Sequence, residues 1–384
     1  MTHGLTLTQS STSAVIAAVA SLSVIGLIAT SSVTAPESSA SLDAAFPLNT
    51  AVLVTDVNAA AGLAGSGGTL KNALLAIADV VTPVIVVVRV AEGEDADATN
   101  ANVIGATDGN TYTGLQALLT AEASLGQRPR ILGAPGLDTQ EVANALAIAA
   151  KKLRGRVFAK AIGDDIAAAV TYRGEFGAKE LSLIWPDFNT WSGDAVARAM
   201  GLRAQINAST GYHKTISNVV VDGVTSITKD VHYDLLDPTT DAGVLNDADI
   251  ITLIRDNGYR FWGNRTCAGE DDAAYSFESA VMTNYALQDI ITETIKADID
   301  KPMTVPMVKN YLEKVSTAFA AEVTAGRVVG AEATLPADSN TSTELAAGRP
   351  HFKMRFTPCA PMENPNVDLE ITDDYYSDFA DQIA

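Results

Sequence analysis

Residues 62–69 read GLAGSGGT and follow a short apolar run, which brings them close to the phosphate-cradling pattern GxxxxGK[ST]. In that pattern, backbone N–H groups and a lysine hold the β- and γ-phosphates. Here Gly68 stands where the lysine belongs, and Lys71 falls inside the helix that should follow. A loop without that charge holds a triphosphate poorly, and no GxGxxG fingerprint overlaps it. The stretch reads as a flexible strand-to-helix turn. Asp95, Asp97, Thr99 and Asn100 bring calcium to mind, but no glycine and no bidentate glutamate fall at EF-hand offsets. The pairs Asp164-Asp165, Asp271-Asp272 and Asp373-Asp374 are adjacent carboxylates of the kind that start helices or solvate turns. Neither a GxSxG elbow nor an HExxH helix is present. Cys267 and Cys359 lie far apart, outside any CxxC spacing, so free, buried thiols are expected. His3, His213, His232 and His351 form no ligand-like pair. No catalytic residue, metal or cofactor is expected.

Bulk properties narrow the classes further. The chain has 384 residues, 47% hydrophobic and 19% charged, which suits folded domains with substantial cores. Its net charge is −20, from 26 basic and 46 acidic residues. Such acidity argues against nucleic acid, whose phosphates demand clustered Lys and Arg, and against anionic lipid. It suits solubility at high copy number and a partner with basic patches. Residues 13–32 (SAVIAAVASLSVIGLIATSS) resemble a leader or membrane helix at first sight. The segment ahead of them has no Lys or Arg, and the run is rich in Ala and Ser and broken by Gly26. It reads as buried strand and helix, with no membrane insertion.

From residue 51 a strand–helix alternation begins. AVLVTDV (51–57) is a short strand, residues 69–81 carry apolar side chains at helical spacing, and VIVVVRV (84–90) is a strand buried on both faces. Residues 92–113 are acidic and rich in Asn and Gly, and read as an exposed loop. Strands are then expected at 130–134, 156–162 and 181–185. Helices are expected at 114–125, up to Leu153 with Asp138 or Thr139 as cap, at 164–172, and at 192–207 opened by Ser192 or Asp194. Repeated β-then-α units with nearly all-apolar strands imply a mostly parallel α/β sheet covered on both faces.

After about Gly211 the pattern changes. Residues 276–297 form a long helix with an apolar stripe at Val281, Tyr285, Ile290, Ile291 and Ile295, and a second helix spans 305–325. Residues 351–357 alternate Phe352, Met354 and Phe356 with polar partners. Residues 367–372 alternate Val367, Leu369 and Ile371 with Asp368, Glu370 and Thr372. At the other end, Leu5 and Leu7 alternate with Thr6 and Thr8. Both ends therefore look like lone half-apolar strands, which are unstable alone and need an edge to join.

The segment 258–267, GYRFWGNRTC, resembles the corresponding block of contractile phage tail sheath proteins of the short type found in temperate myoviruses and R-type pyocins. Three other stretches agree with that family: HGLTLT at the start, TGLQALLTAEASLGQRPRILGAPGLD at 113–138, and FESAVMTNYALQDIITETI at 277–295. The resemblance implies a structural subunit and not an enzyme. It would polymerise helically around a tail tube and contract to drive the tube through a cell envelope, without a cofactor. It implies an N-terminal arm at 1–20, an α/β outer domain at 21–250, an α+β inner, tube-facing domain at 251–360 and a C-terminal arm at 361–384. The arms would be exchanged between copies of the chain, placing Leu5, Leu7, Val367, Leu369 and Ile371 at inter-subunit contacts. Further partners implied are the tail tube protein, the baseplate and the tail terminator. The place implied is the tail of a virion or tail-like particle, assembled in the bacterial cytoplasm. Glu278, Asp289, Glu293 and Lys296 on the amphipathic helix are the charges expected to face the tube. Phe261, Trp262 and Arg265 read as inner-domain packing. Two other readings remain: an α/β nucleotide-binding enzyme using the 62–69 turn, and a secreted acidic surface protein cleaved near Ala40.

Overall fold

Strands that are apolar along their whole length need cover on both faces, and the fold provides it. The structure, a computed structural model, describes residues 22–33, 39–379 and 382. Leu5 and Leu7 lie outside the described residues.

The chain enters along β1 (Ile25–Ser32), α1 (Ser39–Ala45), β2 (Ala51–Val54), α2 (Val57–Leu63), β3 (Gly67–Gly68) and α3 (Leu70–Ala78). Next come β4 (Ile85–Val90), α4 (Ala96–Ile104) and the small hairpin of β5 (Thr107–Asp108) and β6 (Thr111–Tyr112). A 3-10 turn at Gly114–Thr120 leads through α5 (Ala121–Leu125) to β7 (Ile131–Gly133), α6 (Gln140–Leu153) and β8 (Arg156–Lys160). Then follow α7 (Ile166–Arg173), β9 (Leu181–Ile184), α8 (Asp194–Ser209), β10 (Val220–Val221), α9 (Asp241–Asp247), β11 (Ile250–Arg255) and β12 (Tyr259–Trp262). The C-terminal part holds α10 (Glu278–Ile295), α11 (Val305–Thr324), β13 (Val328–Thr334), α12 (Ser342–Ala346) and β14 (Lys353–Pro358).

The main sheet runs β10-β12-β11-β9-β8-β7-β1-β4-β2, with β3 added at the end of β1. Its centre, from β4 to β11, is parallel. β2, β3, β10 and β12 join antiparallel. Successive side chains on a strand point to opposite faces, and β4 shows the consequence. Ile85 and Val87 join a core with Leu74 of α3 and Met200 of α8, whereas Val86 and Val88 join one with Leu118, Val142 and Leu146. β1, expected inside the apolar run at 13–32, is thus the central strand between β7 and β4.

Local chemistry differs from expectation at three places. Residues 92–113 are not all loop: Asp95 accepts the N–H of Ala98 and caps α4, which anchors through buried Val103. Asp95 is thereby a helix cap instead of a loop carboxylate. Thr139 sits at the cap position of α6 without a side-chain bond, while Asp138 turns inward and accepts the N–H of Lys160. Helix α8 is capped by neither Ser192 nor Asp194. The Asp187 carboxylate reaches over from the β9 end to accept the N–H groups of Gly193 and Ala195 at 2.7 and 2.9 Å.

The boundary expected at residue 251 falls inside β11, and β12 continues the same sheet. The smaller core begins later, on Leu287 and Ile290 of α10, with Tyr311, Val315, Phe319 and Val328. It is roofed by the two-stranded sheet of β13 and β14, whose Ala331, Ala333, Met354 and Phe356 are only partly covered. Residues 367–372, expected as a strand, form none within the subunit; a strand without a ladder partner has nothing to satisfy its backbone.

Candidate assembly surfaces

Helix α10 gives Leu287 and Ile290 to the small core and packs Met282 and Ala286 with Leu22 and Tyr212, and buried charge fixes it to the large lobe. Glu278 opens the helix, where a carboxylate meets the unpaired N–H groups favourably. Its side chain is fully buried, with Arg203 Nη1 at 3.0 Å and Arg156 Nε at 3.4 Å. Burial alone would raise its carboxyl pKa, but the two guanidinium groups outweigh burial and hold it below the ordinary range. Arg203 also donates to the Lys214 carbonyl and the Asn207 side chain, and Arg156 to Ser182. One helical stretch on, the Tyr285 hydroxyl donates to Glu180 at 2.6 Å. Asp289 then receives Arg130 Nη1 at 2.5 Å and Arg154 Nε at 3.4 Å.

These contacts revise the expected tube-facing set. Glu278 is enclosed by its arginines and presents nothing to a partner, and Asp289 is largely covered by Arg130 and Arg154. Glu293 and Lys296 remain exposed and pair with one another across one helical turn. Sequence reasoning missed Arg156 and Arg203. The available signal was an arginine at the head of an otherwise buried strand, RVFAK, and another amid the Ala and Met residues of α8.

The segment 258–267 does two jobs. Phe261 packs edge-on against Phe188 in the main core, and Trp262 against Tyr233. Gly263 has φ 127°, and a Cβ there would lie 3.1 Å from the Ile251 Cα, so only glycine lets the chain leave β12 this close to β11. Asn264 accepts the N–H of Glu278 on its carbonyl, which seats the start of α10. Arg265 points the other way. It stacks over Phe277, donates to Ser276 and grips Glu363 with two bonds of 2.9 and 2.5 Å. This fork fixes the point where the C-terminal segment leaves the body.

Beyond that point the usual rule of burial is reversed. Val367, Leu369 and Ile371 are 82%, 94% and 99% exposed, and Tyr375, Tyr376 and Phe379 are exposed as well. Nothing among the described residues covers them. Among the described residues the β13–β14 sheet has two strands, and the outer edges of both are unpaired.

The glycine turn shows no phosphate cradle. Its N–H groups are engaged: Thr69 N donates to Thr30 O, Gly65 N to Ser31 Oγ, and Gly67-Gly68 pair with β1. At the C-terminal ends of β7 to β9, burial pushes Asp138 up to about 6 and also raises Asp187, both already occupied by backbone N–H groups. Cys267 is buried and pushed up to about 12 by that burial, whereas Cys359 is half-exposed, against expectation. Among the described residues no group of His, Cys, Asp or Glu is arranged to hold a metal, and no helix is long and apolar enough to cross a membrane.

Comparison with known proteins agrees with this geometry. The phage tail sheath protein central domain matches residues 110–267, from the hairpin loop through β12 to Cys267. The tail sheath protein of Escherichia phage P2 is 39% identical, covering 99% of this chain and 98% of that protein. The major tail sheath protein of Serratia phage KSP20 is 41% identical, covering 86% and 87%. Among solved structures, a chain of the anti-feeding prophage helical sheath in its contracted state has the same fold. Its TM-score is 0.68 at 17% identity, covering 97% of this chain and 99% of that one.

Proposed function

The chain belongs to the phage tail sheath family, and from that premise we propose that it is the repeating mechanical subunit of a contractile tail sheath. Copies of it assemble as a helix around a tail tube, grow from a baseplate, and repack on triggering into a shorter, wider lattice that drives the tube through an envelope. The subunit works in a virion tail or tail-like particle assembled in the cytoplasm, and a tail terminator caps the polymer. It acts as a structural body and not as an enzyme, and uses no cofactor.

One observation carries the assembly reading: the apolar row Val367, Leu369 and Ile371 stands in solvent while a two-stranded sheet offers edges that no described residue pairs. An isolated two-stranded sheet is marginal in water, and three or more strands are needed for independent stability. Exchange of arms meets both needs at once, because each subunit supplies strands and receives them. Leu5 and Leu7 at the other end have the same alternation in sequence. Such arms keep neighbours joined while rigid bodies rotate, as a bistable-interface transition requires. Glu293 and Lys296, exposed beyond the buried part of α10, are the remaining charges of the set available to the tube.

Negative-stain microscopy of the purified chain tests this. Long tubes are expected from the full chain, and folded particles without tubes after deletion of residues 1–8 or of residues 365–384. Tubes formed by both deletion variants would remove the arm-exchange reading.

A further inference from the structure

We propose that residues 9–13 of the chain, QSSTS, seat in a polar pocket of their own subunit, against Asn264 and beside the root of the C-terminal segment. The seat concerns the stretch between β1 and the pair Leu5 and Leu7, so it goes beyond arm exchange and stands or falls apart from it.

The pocket opens where the loop before β10, the end of β12 and residues 361–363 meet, and holds about 320 Å³. His213, Lys214, Asn218 and Asn264 line it, with Trp262 beside them. Asn264 is only 5% exposed, yet its Oδ1 has no hydrogen-bond partner among the described residues, and neither has His213 Nδ1. Buried polar atoms in folded proteins are almost always paired, so two such orphans around one pocket mark a missing occupant. The charged groups around it are already satisfied. Lys214 Nζ donates to the Thr215 and Ser217 carbonyls at 2.9 Å, and Glu363 is gripped by Arg265. Burial, with Arg327 and Arg203 nearby, holds His213 below its ordinary value, so its ring is neutral at pH 7. The fitting occupant is therefore uncharged and brings N–H or O–H donors.

Residues 9–13 meet that demand and start within reach. Residues 1–21 lie outside the described residues, and Leu22, the first described one, is anchored beside the pocket. Asn207 donates to its carbonyl at 2.8 Å, and its side chain packs with Tyr212, whose ring meets that of the pocket residue His213 edge-on. Eight residues (14–21) lie between Ser13 and Leu22 and allow a span of up to about 30 Å when extended. Between His3 and Glu37 there is no charged residue, and residues 9–13 offer four hydroxyls and a carboxamide besides their peptide N–H groups. A tether this short holds the segment near the pocket at an effective concentration of roughly millimolar order, which favours it over a second copy. The seated segment also covers part of 361–363, where Met362 is 86% exposed, and ties both chain ends to one place on the body.

Hydrogen exchange of the full-length protein, kept below the concentration at which tubes form, tests the seat. Amides of 9–13 are expected to exchange at least about tenfold more slowly than in a free peptide of the same sequence. Asn264→Ala should return them to the free-peptide rate and speed exchange in 359–366 about threefold or more. Its melting curve should overlay the parent's, because Asn264 Oδ1 has no partner among the described residues. If the alanine variant unfolds, S11D/T12D gives the same release from the segment's side: the added charges find no partner in the pocket, and the body is untouched. Free-peptide exchange at 9–13 in the parent, or protection that neither variant reduces, overturns the proposal. Protection that appears only at concentrations where tubes form assigns the pocket to another copy and overturns it too. Tubes formed normally without residues 1–8 would end arm exchange while the protection of 9–13 stays in place, so the two readings fail separately.

Discussion

Two regions of this chain break the ordinary rule of burial in opposite directions. In the large lobe, Arg156, Arg203 and Glu278 are taken fully out of water. At the C-terminal end, Val367, Leu369 and Ile371 are left almost fully in it. The first arrangement costs desolvation energy and is held by close pairing; the second leaves hydrophobic free energy uncollected. A buried ion cluster is poor evidence for net stability, but it is directional and admits one geometry. It therefore seats α10, the helix that also carries Leu287 and Ile290 of the small core, in a defined position on the large lobe. The arm has no such constraint past Arg265 and Glu363. The contrast separates a body whose parts are fixed to one another from an end that we propose is completed by another copy.

The sharpest way to break the first half is to remove the carboxylate. Glu278→Ala leaves two buried guanidinium groups facing one another without compensation, which should cost about 3–5 kcal/mol of stability. Thermal or denaturant unfolding of unpolymerised protein checks this. The pH dependence has a definite sign. Glu278 is held below its ordinary value when folded, so its contribution is present above the unfolded carboxyl range and is lost as pH falls through the lowered folded value. Unfolding midpoints of the parent should fall in acid while those of Glu278→Gln fall less. A Glu278→Ala loss below about 1 kcal/mol would mean that the arginines are not held as described.

A smaller loss is expected one step along the same helix. Asp289 is slightly exposed, and Arg130 keeps a second bond to the Arg154 carbonyl when the carboxylate is removed. Asp289→Ala should therefore cost about 1–3 kcal/mol, less than Glu278→Ala. An equal or larger effect would place the main tie between the lobes at Asp289 instead of at the head of α10.

Much of this body was legible in the sequence. All-apolar runs such as VIVVVRV identified central strands because a parallel sheet hides both faces, and helical spacing identified α10 and α11. What escaped depends on partners distant in sequence. Asp187 caps α8 from the far end of β9, and Glu278 meets arginines 75 and 122 positions away (278 − 203 and 278 − 156). No window along the chain reports such pairings. The strand β13, VVGAEAT, escaped for a different reason: past Val328 its inward residues are alanines, which carry little β signal. For the candidate surface, alternation at 367–372 was readable, yet that its apolar side chains stay in solvent became visible only in the folded subunit. Of the four charges chosen along α10, nothing in the sequence marked Glu278 and Asp289 as covered, since amphipathic spacing does not distinguish a helix facing solvent from one facing arginines.

The second half of the comparison predicts almost no change in the folded subunit. Leu369 is 94% exposed and touches no core, so Leu369→Ser should shift the stability of unpolymerised protein by less than about 0.5 kcal/mol. The same substitution removes the central residue of the apolar row that we propose packs against another copy. Burial of a leucine side chain contributes about 1.5–3 kcal/mol, and that loss recurs at every subunit of a polymer. Tubes should therefore form only at more than about tenfold higher protein concentration, while the melting curve of the monomer overlays the parent's. If melting and assembly both remain unchanged, Leu369 faces solvent in the polymer too, and the arm's contacts lie instead with Tyr375, Tyr376 and Phe379. A fall in monomer stability comparable to that of Glu278→Ala would show that the arm is covered by its own subunit, and the contrast between the two regions would collapse.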